Sequence, residues 1–210
     1  MEIITGIISF VLHIDTHLGE IIADYGPLSY LVLFVIVFAE TGVVFTPFLP
    51  GDSLVFAAGA FAALGSFNLV LLLVLLWLAA FLGDTANYSI GHYFGKKLIA
   101  NPKVPIKQEH IDKTQAFYDK HGGKTIFLAR FVPVVRTFAP FVAGVGGMEY
   151  RKFIVFNVTG GVVWVFGFTL VGYFFGNLTF VKENFSVVVL AIILLSVMPM
   201  VVEVARNKLR

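Results

Sequence analysis

Long apolar runs constrain this chain more than any other feature. They cover residues 28–39, 53–65, 67–83, 153–176 and 185–202. A helix needs about 20 consecutive apolar residues to cross a bilayer, and the pattern predicts spans over 67–94, 150–178 and 185–204. Composition agrees. The 210 residues are 58% hydrophobic and 13% charged, against about a quarter charged in soluble domains, so polar surface is too scarce to coat a water-soluble body. The length suits one membrane domain, 1–210. Cysteine is absent, which excludes disulfides, a thiol nucleophile and thiolate metal sites. The N-terminal apolar stretch has no basic flank and no small-residue cleavage signal, and it reads as mature structure.

Charge is divided along the chain. Residues 1–95 hold seven acids and no Lys or Arg, whereas 96–210 hold all fifteen basic residues and six acids, a balance of +9. The basic residues form no aromatic-interleaved soluble face, so nucleic acid is not an expected partner. The division reads as topology. The polar segment 95–125 carries seven Lys against three acids, and the positive-inside rule puts it in the cytoplasm with Arg151-Lys152 and the C-terminus. The link around 177–184 is then periplasmic.

Two segments do not suit simple crossings. In 28–66, Glu40, Pro47, Pro50 and Asp52 interrupt two apolar arms of about a dozen residues, too short to span. In 124–149, Arg130, Pro133, Arg136 and Pro140 fall within eleven residues. Proline removes a backbone donor and breaks helices, and broken backbone at membrane depth must be buried in protein or line a cavity. Both segments are expected to be re-entrant hairpins, broken at those four prolines. The halves also resemble each other. Residues 21–30 match 116–125, 55–59 match 141–144, and 89–98 match 170–178, at separations of 81 to 96 residues. Each repeat then holds a surface helix, a hairpin and one span, and the odd number of crossings inverts the second copy, as in secondary transporters. The expected fold is an all-α polytopic membrane protein: an inverted repeat with two opposed re-entrant hairpins, interfacial amphipathic helices at 1–27 and within the 95–123 loop, and about three full spans.

A charge at the bilayer centre costs at least ~2.5–3.5 kcal/mol, so Glu40, Asp52, Arg130 and Arg136 must meet each other, water or a ligand. A purely structural ion cluster would hold the hairpins together, but buried ion pairs rarely stabilise more than apolar packing does, which favours use. Guanidinium forks onto phosphate oxygens, and a carboxylate in an apolar pocket can carry a proton near neutral pH. Arg130 and Arg136 are therefore the phosphate-binding candidates, and Glu40 and Asp52 the proton-coupling candidates. Asp84, Asn87, Tyr88 and His92 share one helical face, where cavity lining and interfacial capping are equally consistent; Asp84 and Asn87, with Thr137, are secondary cavity-lining candidates. His13 and His17 are four apart but have no third ligand, so no metal is expected. Packing accounts for Trp77 and Trp164, and close helix approach for the glycines at 144, 146, 147, 160 and 161.

Three motifs carry a family resemblance: Glu40-Thr-Gly-x-x-x-Thr-Pro-Phe-Leu-Pro-Gly-Asp52-Ser; Gly-Asp84-x-x-Asn-Tyr-x-x-Gly; and His-Gly-Gly-Lys-Thr-x-x-x-Ala-Arg130-Phe-x-Pro-x-x-Arg136-Thr-Phe-Ala-Pro-Phe-x-Ala-Gly. They resemble the DedA family of bacterial inner-membrane proteins, in the SNARE-associated/VTT superfamily, over almost the whole chain. The resemblance implies two opposed re-entrant hairpins and the return of undecaprenyl phosphate to the cytoplasmic leaflet with the proton-motive force. Its acidic pair falls on Glu40 and Asp52 and its arginine pair on Arg130 and Arg136. The expected partners are undecaprenyl phosphate, protons and a second copy in a homo-oligomer (dimer), with no cofactor. The expected activity is transport, not catalysis. The competing readings are a proton-coupled exporter of small cations or drugs, a membrane enzyme acting on lipid phosphates, and an envelope scaffold.

Overall fold

The computed structural model describes residues 24–43, 51–99, 108–179 and 181, all considered below. The expectations for 1–23, Pro47, Pro50 and the span 185–204 lie outside the described residues. Every regular element described is helical. A 3-10 turn, Gly26–Leu28, leads into α1, Ser29–Gly42. Ser29 Oγ donates to the Gly26 carbonyl at 2.6 Å and closes that turn. Helix α2 is Gly51–Ala63, α3 Leu69–Ile99, α4 Gln108–His121, α5 Thr125–Ala129, α6 Pro133–Val145 and α7 Tyr150–Gly176.

Two of these helices are long and apolar enough to cross a membrane: Leu69–Gly95 within α3, with mean hydropathy 2.3, and α7, with mean hydropathy 1.9. At 1.5 Å per residue, the 31 residues of α3 extend about 46 Å, beyond the ~30 Å hydrocarbon core. Their outer faces expose Val70, Leu71, Val74 and Leu82 on α3, and Val155, Val163, Val171 and Phe174 on α7. Apolar side chains standing outward along helices of this hydropathy suit a lipid surround, since a helix at a water boundary keeps a polar face. Helices α1, α2 and α6 are apolar but short.

The chain divides into two compact units: 1–33, 49–75 and 166–210 in one, 34–48 and 76–165 in the other. In the first unit, α2 packs on the C-terminal part of α7 through glycine. A Cβ at Gly172 would strike the Phe56 backbone, one at Gly59 the Thr169 backbone, and one at Gly176 the Ala60 backbone. In the second unit, α6 packs on the C-terminal part of α3 in the same manner. Gly91 lies against Phe141, Gly144 against Tyr88, and Gly95 against Val145. Moving the α2 residues forward by 85 positions and the α7 residues back by 81 converts the first set of contacts into the second. Each unit thus holds the same pattern, a short apolar helix packed through glycine on the C-terminal part of a long one.

The sequence reading takes Pro133 and Pro140 as hairpin breaks, and they differ in the structure. Pro133 opens α6, and Val132 before it is extended, with φ −119° and ψ 108°, as the residue preceding a proline must be. The chain is broken there, between α5 and α6. Pro140 is a correction: it sits inside α6, which continues to Val145. It removes only the N–H that would reach the Arg136 carbonyl, and one lost bond does not end a helix whose face is packed. Phe138, Ala139, Phe141 and Val142 around it are all buried.

Candidate functional site

Four segments of the second unit bring charge together. Glu40 lies in the last turn of α1, Asp84 midway along α3, Arg130 at the break after α5, and Arg136 in the first turn of α6. All four line one small cavity with Thr41, Thr137, Pro140 and Trp164. Its polar wall holds two carboxylates and two guanidiniums, which balance in charge.

The pairing is specific. Arg136 Nη2 is ion-paired with Glu40 Oε1. Its guanidinium carbon also stands 5.7 Å from the Trp164 ring centroid, within cation–π reach. Arg130 Nη2 donates to Asp84 Oδ2 at 2.6 Å and to Asn157 Oδ1 at 2.6 Å. Glu40, Asp84, Arg130 and Asn157 are all buried. Asn157 is held in turn, its Nδ2 donating to the Phe81 carbonyl at 3.1 Å. Since one amide end binds Arg130 and the other the α3 backbone, its orientation is fixed.

Close helix approach makes these pairings reachable. α1 crosses α3 where a Cβ on Gly42 would meet the Gly83 Cα at 3.3 Å, and that crossing sets Glu40 beside the Asp84 turn. Asn87 locks it: its Nδ2 donates to the Thr41 carbonyl at 3.1 Å and the Thr137 carbonyl at 3.0 Å. The Thr41 carbonyl lies in the last turn of α1 and has no helical partner of its own. On the other side, a Cβ on Gly160 would lie 3.1 Å from Arg130 Cδ, so the arginine stem rests on bare α7 backbone. The glycine pair at 160 and 161 thus seats a charged side chain as well as a helix.

The sequence candidates distribute as follows. Glu40, Arg130, Arg136, Asp84 and Thr137 line the cavity, while Asn87 fastens its walls. Asp52 is half-buried in the first turn of α2 and belongs to the other unit. Arg130 takes its carboxylate from Asp84 on α3. Sequence reasoning missed Asn157 and assigned Trp164 to packing alone. Asn157, Gly160, Gly161 and Trp164 recur at helical i, i+3, i+4, i+7 spacing, a polar and small-residue stripe in an apolar span that could have drawn attention to both. Two buried acceptors in the site, Glu40 Oε2 and Asn87 Oδ1, have no hydrogen bond among the described residues.

The VTT domain family matches residues 31–174, a stretch that contains every cavity residue. Protein DedA of Escherichia coli K12 is 53% identical over 211 residues, spanning 99% of the present chain and 96% of its own. An uncharacterised membrane protein of Mycobacterium tuberculosis H37Rv is 42% identical across 83% of this chain and 78% of its own. Inner membrane protein YqjA of E. coli K12 is 34% identical across 70% and 68%. No solved structure matches significantly.

Proposed function

The chain belongs to the VTT-domain family, among the DedA proteins, and from that premise we propose that it carries a lipid phosphate, undecaprenyl phosphate, across the bacterial inner membrane for envelope synthesis, coupled to protons. The observation that carries the reading is the paired set Arg136–Glu40 and Arg130–Asp84 around one small cavity. Four charged groups are held at membrane depth where apolar packing would be cheaper. Two are guanidiniums, which match phosphate oxygens bidentately. Two are carboxylates, and one of them, Glu40, is a proton-exchange acid that can be neutralised while the arginines cannot.

In this reading, Arg130 and Arg136 hold the phosphate, and Glu40 and Asp52 exchange protons as access alternates. The segments 28–66 and 124–149 are the re-entrant hairpins of an inverted repeat, a reading supported by the reciprocal glycine contacts. The 95–123 loop and the C-terminus face the cytoplasm, and 185–204 supplies a third span. A proton-coupled cation exporter is less well supported, because each cavity carboxylate stands beside an arginine that repels cations.

The test is leaflet-resolved transport of undecaprenyl phosphate in proteoliposomes, with and without a pH gradient. Arg136→Ala is expected to reduce the rate at least tenfold, and dissipating the gradient should slow the wild type. Unimpaired transport in Arg136→Ala would remove the phosphate-clamp role.

A further inference from the structure

Asp84 is not one of the acids assigned to proton exchange above, yet it holds one of the two arginines assigned to phosphate. Its Oδ2 accepts from Arg130 Nη2 at 2.6 Å with both side chains buried. A carboxylate in that position presents to the guanidinium what a phosphate oxygen would present, at the same hydrogen-bond length. Phosphate and Asp84 therefore compete for Arg130. Binding a phosphate while Asp84 stays ionised would put two anions against one guanidinium in a place where charge is poorly screened.

We propose that Asp84 is an internal counter-ion that phosphate displaces from Arg130, and that it takes up a proton when displaced. The inference rests on the phosphate reading of the arginines and adds a proton-linked residue to it. The step balances simply: the Asp84 Oδ2 to Arg130 ion pair opens, a proton from solvent joins the carboxylate, and the freed N–H of Arg130 donates to a phosphate oxygen. Asn157 accepts from the same nitrogen at 2.6 Å and holds the guanidinium in place during the exchange, so Arg130 is positioned for phosphate before phosphate arrives. The charged and titratable groups facing Asp84 are Arg130 from the α5–α6 break, Glu40 from α1, Arg136 from α6 and the Tyr118 phenol from α4. Tyr118 is neutral, its phenol pushed upward by burial and then by Asp84 itself, and it donates to the Ala139 carbonyl at 2.9 Å. Glu40 is engaged with Arg136. Asp84 is thus the acid whose charge decides whether Arg130 is available.

Calorimetry with farnesyl phosphate on the full-length protein in detergent tests this. At pH 8 a phosphate monoester is already doubly ionised, its second pKa being about 6, so proton uptake belongs to the protein. Repeating the titration in buffers of different ionisation enthalpy counts the protons. The wild type is expected to take up at least one proton per ligand, and its affinity should rise as pH falls. Asp84→Asn should take up one proton fewer and bind about tenfold tighter at pH 8. Arg130→Gln and Arg136→Gln separate the two levels of the argument. If they bind as well as wild type, the phosphate reading fails. If they lose binding while Asp84→Asn keeps the full uptake, or binds as poorly as Arg130→Gln, only the counter-ion inference fails. Should Asp84→Asn not remain folded, infrared difference spectra of Asp52→Asn protein with 13C-labelled aspartate decide it. A protonated aspartate carbonyl band must appear when farnesyl phosphate binds, and its absence overturns the proposal.

Discussion

At the scale of single residues, Asn157 is the side chain on which Arg130 depends most after Asp84. It spends its carbonyl on the guanidinium and its amide on the α3 backbone. Replacing it with leucine keeps the volume and removes both functions, leaving part of a buried charge unsatisfied. Loss of a partner to a buried polar group costs about 1–3 kcal/mol, so Asn157→Leu should lower the thermal midpoint in detergent by several degrees. Thr159→Val, two residues away, alters an exposed hydroxyl whose hydrogen bonds among the described residues stay within its own helix. It should shift stability by no more than about 0.5 kcal/mol, and equal losses in the two variants would show that Asn157 has no special engagement. The same residue marks where sequence reasoning stopped. Glu40, Arg130 and Arg136 stood out because ionised groups in apolar runs are costly wherever they point. Asn157 is neutral, so its cost is legible only once its neighbours are known. The partner of Arg130 was equally hidden, because the choice between Asp52 and Asp84 is made by which helices approach, not by spacing along the chain.

At the scale of elements, glycine decides those approaches. Gly91 and Gly172 are equivalent positions on α3 and α7, each facing a phenylalanine backbone on the short helix packed against it, Phe141 and Phe56. Backbone cannot move aside as a side-chain tip can, so a methyl group at either site must push the helices apart. Overpacking costs about 1–3 kcal/mol, more than the ~1 kcal/mol that alanine gains over glycine inside a helix. Gly91→Ala and Gly172→Ala should therefore both destabilise, by similar amounts. Gly167→Ala, also in α7, meets nothing within 4 Å and should stabilise by about 0.5–1 kcal/mol. Thermal unfolding of the three variants checks the sign at each position, and stabilisation by Gly91→Ala would mean the close packing of α6 on α3 is not real. The correspondence of Gly91 and Gly95 with Gly172 and Gly176 was legible as matched glycines and aromatics at 89–98 and 170–178. That α2 packs on α7 and α6 on α3 was not, because sequence similarity identifies equivalent pieces without saying which ones touch. Pro140 illustrates a further limit: proline marks a break only where packing on both sides does not hold the helix together.

At the scale of the whole molecule, the reciprocal contacts bear on topology. If two equivalent units are related by inversion, equivalent positions at the ends of α3 and α7 must lie on opposite sides of the membrane. Lys97 and Leu178 are such a pair, 81 residues apart and both exposed. The charge division along the sequence would then set the absolute direction, with Lys97 on the cytoplasmic side by the positive-inside rule and Leu178 on the periplasmic side. Because the chain contains no cysteine, a single introduced thiol can be read without background. In right-side-out vesicles, a membrane-impermeant maleimide should label Leu178→Cys and spare Lys97→Cys until the membrane is permeabilised; inverted vesicles should give the reverse. Labelling of both from one side would make the two helices cross in the same sense, and the inverted repeat could not stand. The outcome also bears on the mechanism. Inversion would make 28–66 and 124–149 equivalent seen from opposite leaflets, so that rocking one repeat against the other would expose a single site alternately to each side. A parallel arrangement would give the cavity residues no symmetry-related route to the second leaflet, and a carrier built on them would need a separate opening movement on each face.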